Sequence, residues 1–205
     1  MGITVNYQRI SLERLTELQS NSERIEQFFC PENLRLDELM DSLKQAQTQN
    51  NNKLVKQLGA ELREALSQDK ASVYRNHLLS QTQLSIEKEW QAIHYLLTGE
   101  IVFDKSQIKS PLGSIVMGGE RAFSEPGYEH IRYLNSIEVK EITQALNRLP
   151  MPEIRLRFEQ RRSTKIYAQR DEWNEEAWEF FQQIFDSLTR FFHQAAVNSE
   201  VILIY

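Results

Sequence analysis

Between Glu172 and Val197, the side chains Trp178, Phe180, Phe181, Ile184, Phe185, Leu188, Phe191, Phe192 and Ala195 recur at helical spacing. On a helical wheel they cover a sector much wider than the stripe of a surface helix. Such a helix has to lie inside the fold, with other elements packed around it. The segment that follows, "VILIY", is continuous, β-branched and aromatic, which reads as a strand buried on both faces. A buried strand needs neighbours. The alternation in "GITVNY", residues 2–7, supplies a first strand, and pairing the first strand with the last would serve both. With helices in between and no internal repeat or linker, the expectation is a helix-dominated α+β fold. It forms a single domain over 1–205, with a small sheet made by the N- and C-terminal strands.

Local signals punctuate the chain. Ser11 caps a helix carrying Leu12, Leu15 and Leu18. From Ser22 to Ser67 the pattern is helical, broken at Pro31, which removes a backbone donor and can open the next helix at its first turn. Leu36, Leu39, Met40 and Leu43 recur in that next helix. An amide-rich run, Gln45 to Gln57, reads either as a connection or as an exposed continuation of the helix. Ser85 caps a helix with Glu87 in its first turn and Gly99 as its stop. Ser110-Pro111 opens a short helix that Gly118-Gly119 ends. "PGYEHIRYL" reads as extended. Asn135 and Glu138 make a capping box for a helix with Val139, Ile142, Ala145, Leu146 and Leu149. Pro150 and Pro152 punctuate its end, and "TKIYA" reads as a short strand.

Charge and composition bound the function. With 40% hydrophobic and 26% charged residues the chain is that of a soluble globular protein. A net charge of −5 repels nucleic acid and anionic membrane. The lone Cys30 allows no internal disulfide, which suits a reducing compartment. The N-terminus lacks a basic region followed by an apolar run, so a secretory signal is not expected, and no run of roughly 18 apolar residues is present. Met1-Gly2 is followed by Asn6 where a myristoylation signal needs Ser or Thr. The expected location is cytoplasmic, with no membrane and no nucleic-acid partner.

"EKEWQAIHYLLTG" holds the residues closest to chemistry. Trp90 and His94, four apart, sit one above the other on a helix, with Ile86, Ile93 and Leu97 beside the tryptophan. His94 then falls at the edge of the apolar stripe, where one ring nitrogen would meet water and could act as acid, base or ligand contact. Packing on Trp90 with a bond to a backbone carbonyl accounts for it as well, and the sequence offers no acid or nucleophile in phase. Thr98 bonds back into its own helix turn. Tyr128, Arg132 and Tyr133 form a second group of candidate ligand contacts, able to line a cleft with Trp90 and His94. Two rings give rigid contact area and the guanidinium gives a forked donor.

The other candidates are weaker. The four histidines, His77, His94, His130 and His193, fall on different elements, with His193 on the solvated side of its helix, so neither a metal site nor any other cofactor is expected. Ser114 lacks the glycine spacing of a nucleophile elbow, and Cys30 in "FFCP" suits inert burial. The basic run Arg155, Arg157, Arg161, Arg162 and Lys165 spreads round its helix beside the acidic "DEWNEE". It reads as a solvated, partly paired surface.

The blocks "MGITVNYQRI", "EWQAIHYLLTG", "PLGSIVMGGE" and "RYLNSIEVKEITQAL", in that order and closed by "AAVNSEVILIY", resemble the YfbM-like family, a bacterial domain of unknown function. The resemblance spans nearly the whole chain. It is interrupted at about 30–81, where the helical, amide-rich segment is longer than in compact members. It implies an α+β fold, brings no established activity and carries over no catalytic residue. A complete, well-capped fold without a catalytic constellation points first to a binding protein, with a protein partner and a regulatory or neutralising role. The alternative is a small-ligand-binding protein or enzyme in which His94 is the acid–base or contact residue. The sequence leaves the oligomeric state open.

Overall fold

The computed structural model describes residues 4–29, 31–49, 51, 53–63, 82–101, 110–160 and 173–205. Their order is β1 (Val5–Ile10), α1 (Leu12–Ser20), α2 (Ser22–Phe29), α3 (Pro31–Thr48), α4 (53–63), β2 (Gln83–Glu87), α5 (Trp90–Thr98), α6 (Pro111–Met117), β3 (Glu120–Arg121), β4 (Arg132–Leu134), α7 (Ser136–Arg148), α8 (Met151–Gln160), α9 (Glu175–Val197) and β5 (Val201–Ile204). Two compact units divide the chain: Met1–Leu15 with Ser80–Tyr205, and Thr16–Leu79.

The first unit is helix-dominated α+β. Its five-stranded sheet runs β2-β1-β5-β4-β3, with every neighbouring pair antiparallel. The first and last strands do pair, Tyr7 opposite Ile204 and Ile10 opposite Val201. This puts β5 in the middle of the sheet, and all four of its residues are buried. Alternation explains why a continuous apolar run is needed there. Ile202 and Ile204 join the main core with Tyr7 and Leu134, while Val201 and Leu203 are buried on the opposite side.

The helix α9 fills that core as its breadth requires. Ala177, Trp178, Phe181, Phe185, Leu188, Phe191, Phe192 and Ala195 are buried along it. Asn174 caps it, accepting from the Ala177 N–H at 3.0 Å. Against α9 lies α7, opened by the expected capping box of Asn135 and Glu138. The Thr143 hydroxyl, bonded to the Val139 carbonyl at 2.7 Å, also lies 3.1 Å from the Phe192 carbonyl. Phe158, Trp173, Trp178 and Phe181 complete an aromatic cluster with ring centroids 5.0–6.1 Å apart.

Three local expectations need correction. The first strand spans Val5–Ile10, later than residues 2–7. Gln8 and Arg9, which lie past the expected range, belong to the strand and are both buried with partners. Gln8 donates to the Thr82 hydroxyl at 3.1 Å, and Arg9 donates to Gln194 at 2.8 Å and lies over the Phe191 ring. Ser85 does not cap a helix. It lies in β2 opposite Asn6, and its hydroxyl accepts from the Glu87 N–H. Glu87 turns the chain through a left-handed conformation (φ 45°) before α5 opens at Trp90. "PGYEHIRYL" is extended only at Arg132–Leu134; residues 126–130 form turns, tied by the Tyr128 and Ile131 N–H groups.

In the second unit Pro31 opens α3 as expected. The amide-rich run proves to be both things it resembled. It continues α3 to Thr48, leaves the helix at Gln49, and is helical again from 53. Asn51 caps that second stretch, its side chain accepting from the Leu54 N–H at 3.2 Å. Cys30, His77, Arg161, Arg162, Lys165 and the "TKIYA" strand lie outside the described residues.

Candidate functional site

The candidate site centres on α5, a helix with no wet side. Every residue from Gln91 to Leu97 is buried, since α6 and α8 pack against it and its side chains join the main core. His94 therefore departs from the expected half-wet edge: it is only 1% exposed. Among the described residues neither ring nitrogen has a hydrogen-bond partner, and the same holds for the buried indole nitrogen of Trp90. Burial lowers the His94 pKa below its ordinary value, opposed by the charge of Glu100, and so favours the neutral imidazole. Thr98 bonds back into the helix as expected, its hydroxyl donating to the His94 carbonyl at 2.8 Å.

The carbonyls at the end of α5 are met by an arginine that the sequence reading assigned to a solvated face. Arg157, on α8, donates from one nitrogen to the Leu96 carbonyl at 2.8 Å and the Leu97 carbonyl at 2.6 Å, while the other pairs with Glu153. This is a cation where the helix dipole wants one. Gly99 adopts φ 77°, and a Cβ there would come within 3.3 Å of the Arg157 Nε. The stop signal thus serves two purposes: the left-handed turn and the arginine's approach.

The same device closes α6. Ser110 caps its start, accepting from the Gly113 N–H at 3.2 Å, and Pro111 occupies the first turn. At its other end Arg132, on β4, donates to the Gly118 and Val116 carbonyls, both at 3.0 Å. The fork read as suited to an acidic ligand group is here directed at two backbone oxygens. Gly118 is required by close approach, since a Cβ would lie 2.4 Å from that of Ser114. Ser114 itself is a half-buried residue of α6.

Of the candidate contacts, Trp90 and His94 share one face of α5. Arg132 and Tyr133 are consecutive on β4 and so point to opposite faces of the sheet. The Tyr133 hydroxyl bonds Glu120 at 3.1 Å, and its pKa is pushed up, first by desolvation and then by that carboxylate. Tyr128 is half-buried in the turn before β4. Arg155 pairs with Glu159 at 2.7 Å and with Glu175 of the acidic stretch at 2.5 Å, as a partly paired surface should. His130 and His193 are exposed.

Tyr7 escaped the sequence reading. Its side chain is fully buried against Phe191 and Phe192, and its hydroxyl has no hydrogen-bond partner among the described residues. Burial raises its pKa, opposed by the charge of Arg132. Its place on the core-facing parity of β1 was the available signal. No three metal-ligating side chains gather among the described residues, and no helix there is long and apolar enough to cross a membrane.

The family model "Domain of unknown function (DUF1877)" matches residues 1–205. The chain belongs to this family. Among solved structures, a protein of unknown function, YfbM from Escherichia coli, superposes with a TM-score of 0.56 over 98% of each chain at 15% sequence identity. That likeness is one of fold, and it agrees with the resemblance read from the sequence blocks. No curated protein matches the chain.

Proposed function

We propose that this domain is a cytoplasmic binding protein that regulates or neutralises a protein partner, and that it meets that partner at one end of its sheet. The observation that carries the reading is where the exposed aliphatic side chains fall. Leu12, Ile137 and Val197, at 58%, 68% and 69% exposed, are the most exposed large hydrophobics among the described residues. Ile10 pairs with Val201 and Leu134 with Ile202, so β1 and β4 both leave the sheet at the end where β5 enters. Leu12 follows β1, Ile137 follows β4 and Val197 precedes β5. Strands about 4.8 Å apart bring these three chain crossings within about 10 Å of one another across the sheet. Exposed aliphatics scattered singly are ordinary, whereas three at one end make a recognition patch. Exposed Glu13, Lys140 and Glu141 on the same helices offer a polar rim. The net charge of −5 favours a basic partner.

An acid–base role for His94 draws less support, because a buried, neutral imidazole exchanges protons poorly with solvent. The test is recovery of partners from the native cell by the wild-type domain and by the Leu12→Lys/Ile137→Lys/Val197→Lys variant, with folding checked by circular dichroism. Burying two or three aliphatic side chains contributes enough that the variant should lose affinity by on the order of a hundredfold. A one-to-one partner held by the wild type and lost by the variant is the expected result. Equal recovery by both, or no stoichiometric partner at all, overturns the reading.

A further inference from the structure

Two rings on one turn of α5 present three polar atoms to the protein interior. His94 is 1% exposed, and its Nδ1 and Nε2, together with Trp90 Nε1, find no hydrogen-bond partner among the described residues. Trp90 and His94 are separated by one helical turn, so their side chains are neighbours on the same face. Leaving a buried donor or acceptor unmet is costly, and native interiors meet such groups with protein atoms or with a small enclosed molecule. At the C-terminal end of the helix the Thr98 hydroxyl is taken by the His94 carbonyl and Arg157 by the carbonyls of Leu96 and Leu97, while buried Glu89 and Gln91 flank Trp90.

We propose that the core beside α5 holds a buried polar guest that bridges the His94 imidazole and the Trp90 indole N–H. The ring chemistry sets its class. A neutral imidazole offers one N–H donor and one acceptor nitrogen, and the indole adds a second donor. The two ring nitrogens point to different sides of the imidazole, so one oxygen meets only one of them: the complement is an uncharged hydroxyl that gives its O–H to the acceptor nitrogen and accepts from the indole N–H. Water is the smallest that qualifies, and internal waters characteristically make about three such bonds. A small hydroxylated metabolite has the same chemistry. A charged guest is disfavoured, because Ile93, Leu97 and their buried neighbours make an apolar surrounding in which an ion is costly to desolvate. This inference is independent of the surface patch and survives or fails without it.

The experiment is nitrogen-15 NMR on the purified full chain, with the His94 ring signals assigned by their loss in His94→Phe. The proposal expects an imidazole N–H that exchanges slowly and an acceptor nitrogen shifted by hydrogen bonding. It also expects through-space transfer from a non-protein hydrogen to both the His94 ring and the Trp90 indole N–H. Native mass spectrometry separates the two sources: an added mass released on denaturation identifies a metabolite, and an unchanged mass with transfer from solvent identifies water. If transfer arises from no non-protein hydrogen, or the ring nitrogens prove bonded to a protein group, the proposal is overturned. Where His94→Phe does not fold, Trp90→Phe removes one bridge point, and the indole transfer should vanish while the imidazole transfer stays.

Discussion

An imidazole enclosed by the core has to stay neutral to stay there, and this sets a pH dependence at His94. Its folded pKa lies below the ordinary value of 6.5, with burial the cause. Below pH 6.5 the unfolded chain therefore binds more protons than the folded one. The stability that His94 contributes is intact above about 6.5 and is lost as pH falls from there towards the lower folded value, by at most about 1.4 kcal/mol per pH unit. Urea midpoints at pH 7.5 and 5.5 check this: the wild type should lose more stability on acidification than His94→Phe. Equal losses would mean that His94 titrates as an exposed residue. The arginines give a contrast at the same scale. Arg157 and Arg132 each hold two helix-end carbonyls, so Arg157→Ala or Arg132→Met should destabilise by about 1–3 kcal/mol through stranded acceptors. Arg155 pairs instead with the exposed carboxylates of Glu159 and Glu175 and lies over the Trp178 and Phe158 rings. Arg155→Ala strands no buried acceptor and should lower the urea midpoint less than either. A reversed ranking would contradict the roles given to these three side chains.

At the level of the elements, legibility tracks whether the signal is local. The capping box of Asn135 and Glu138, the Ser110-Pro111 start and the Gly99 stop each resolve backbone groups with residues a few positions away, so their sequence spacing suffices. Ser85 carries the same chemistry as a cap, but β1 lies alongside and claims the segment for the sheet. No window around Ser85 contains that partner. The strand β1 was placed early for a related reason: Gln8 and Arg9 are stabilised by Thr82, Gln194 and Glu200, all distant in sequence. For α9 the breadth of the apolar sector was sufficient. Phe192 is fully buried and touches Tyr7 of β1. Phe192→Ala should therefore cost about 3–5 kcal/mol, read as a fall in the denaturation midpoint. A cost near that of a surface substitution would remove α9 from the centre of the core.

For the molecule as a whole, the pairing of the first and last strands was readable because the final strand is apolar throughout and needs neighbours on both sides. The site was less readable. A helical wheel places His94 at an edge, but it says nothing about α6 and α8, whose packing turns that edge into interior. Arg132 looked like a ligand fork because its charge is visible in the sequence and the α6 carbonyls it meets are not. The proposed patch rests on strand register, which brings the strand ends that Leu12, Ile137 and Val197 flank to one end of the sheet. The most direct test of the partner-binding account is site-specific photo-crosslinking in the native cell. The crosslinker would be placed at Ile137 and at Val197, with exposed Gln183 of α9 as the control. The account predicts one discrete crosslinked protein shared by the first two positions and absent from the third. Crosslinks of equal pattern from all three positions, or none from Ile137 and Val197, would contradict it.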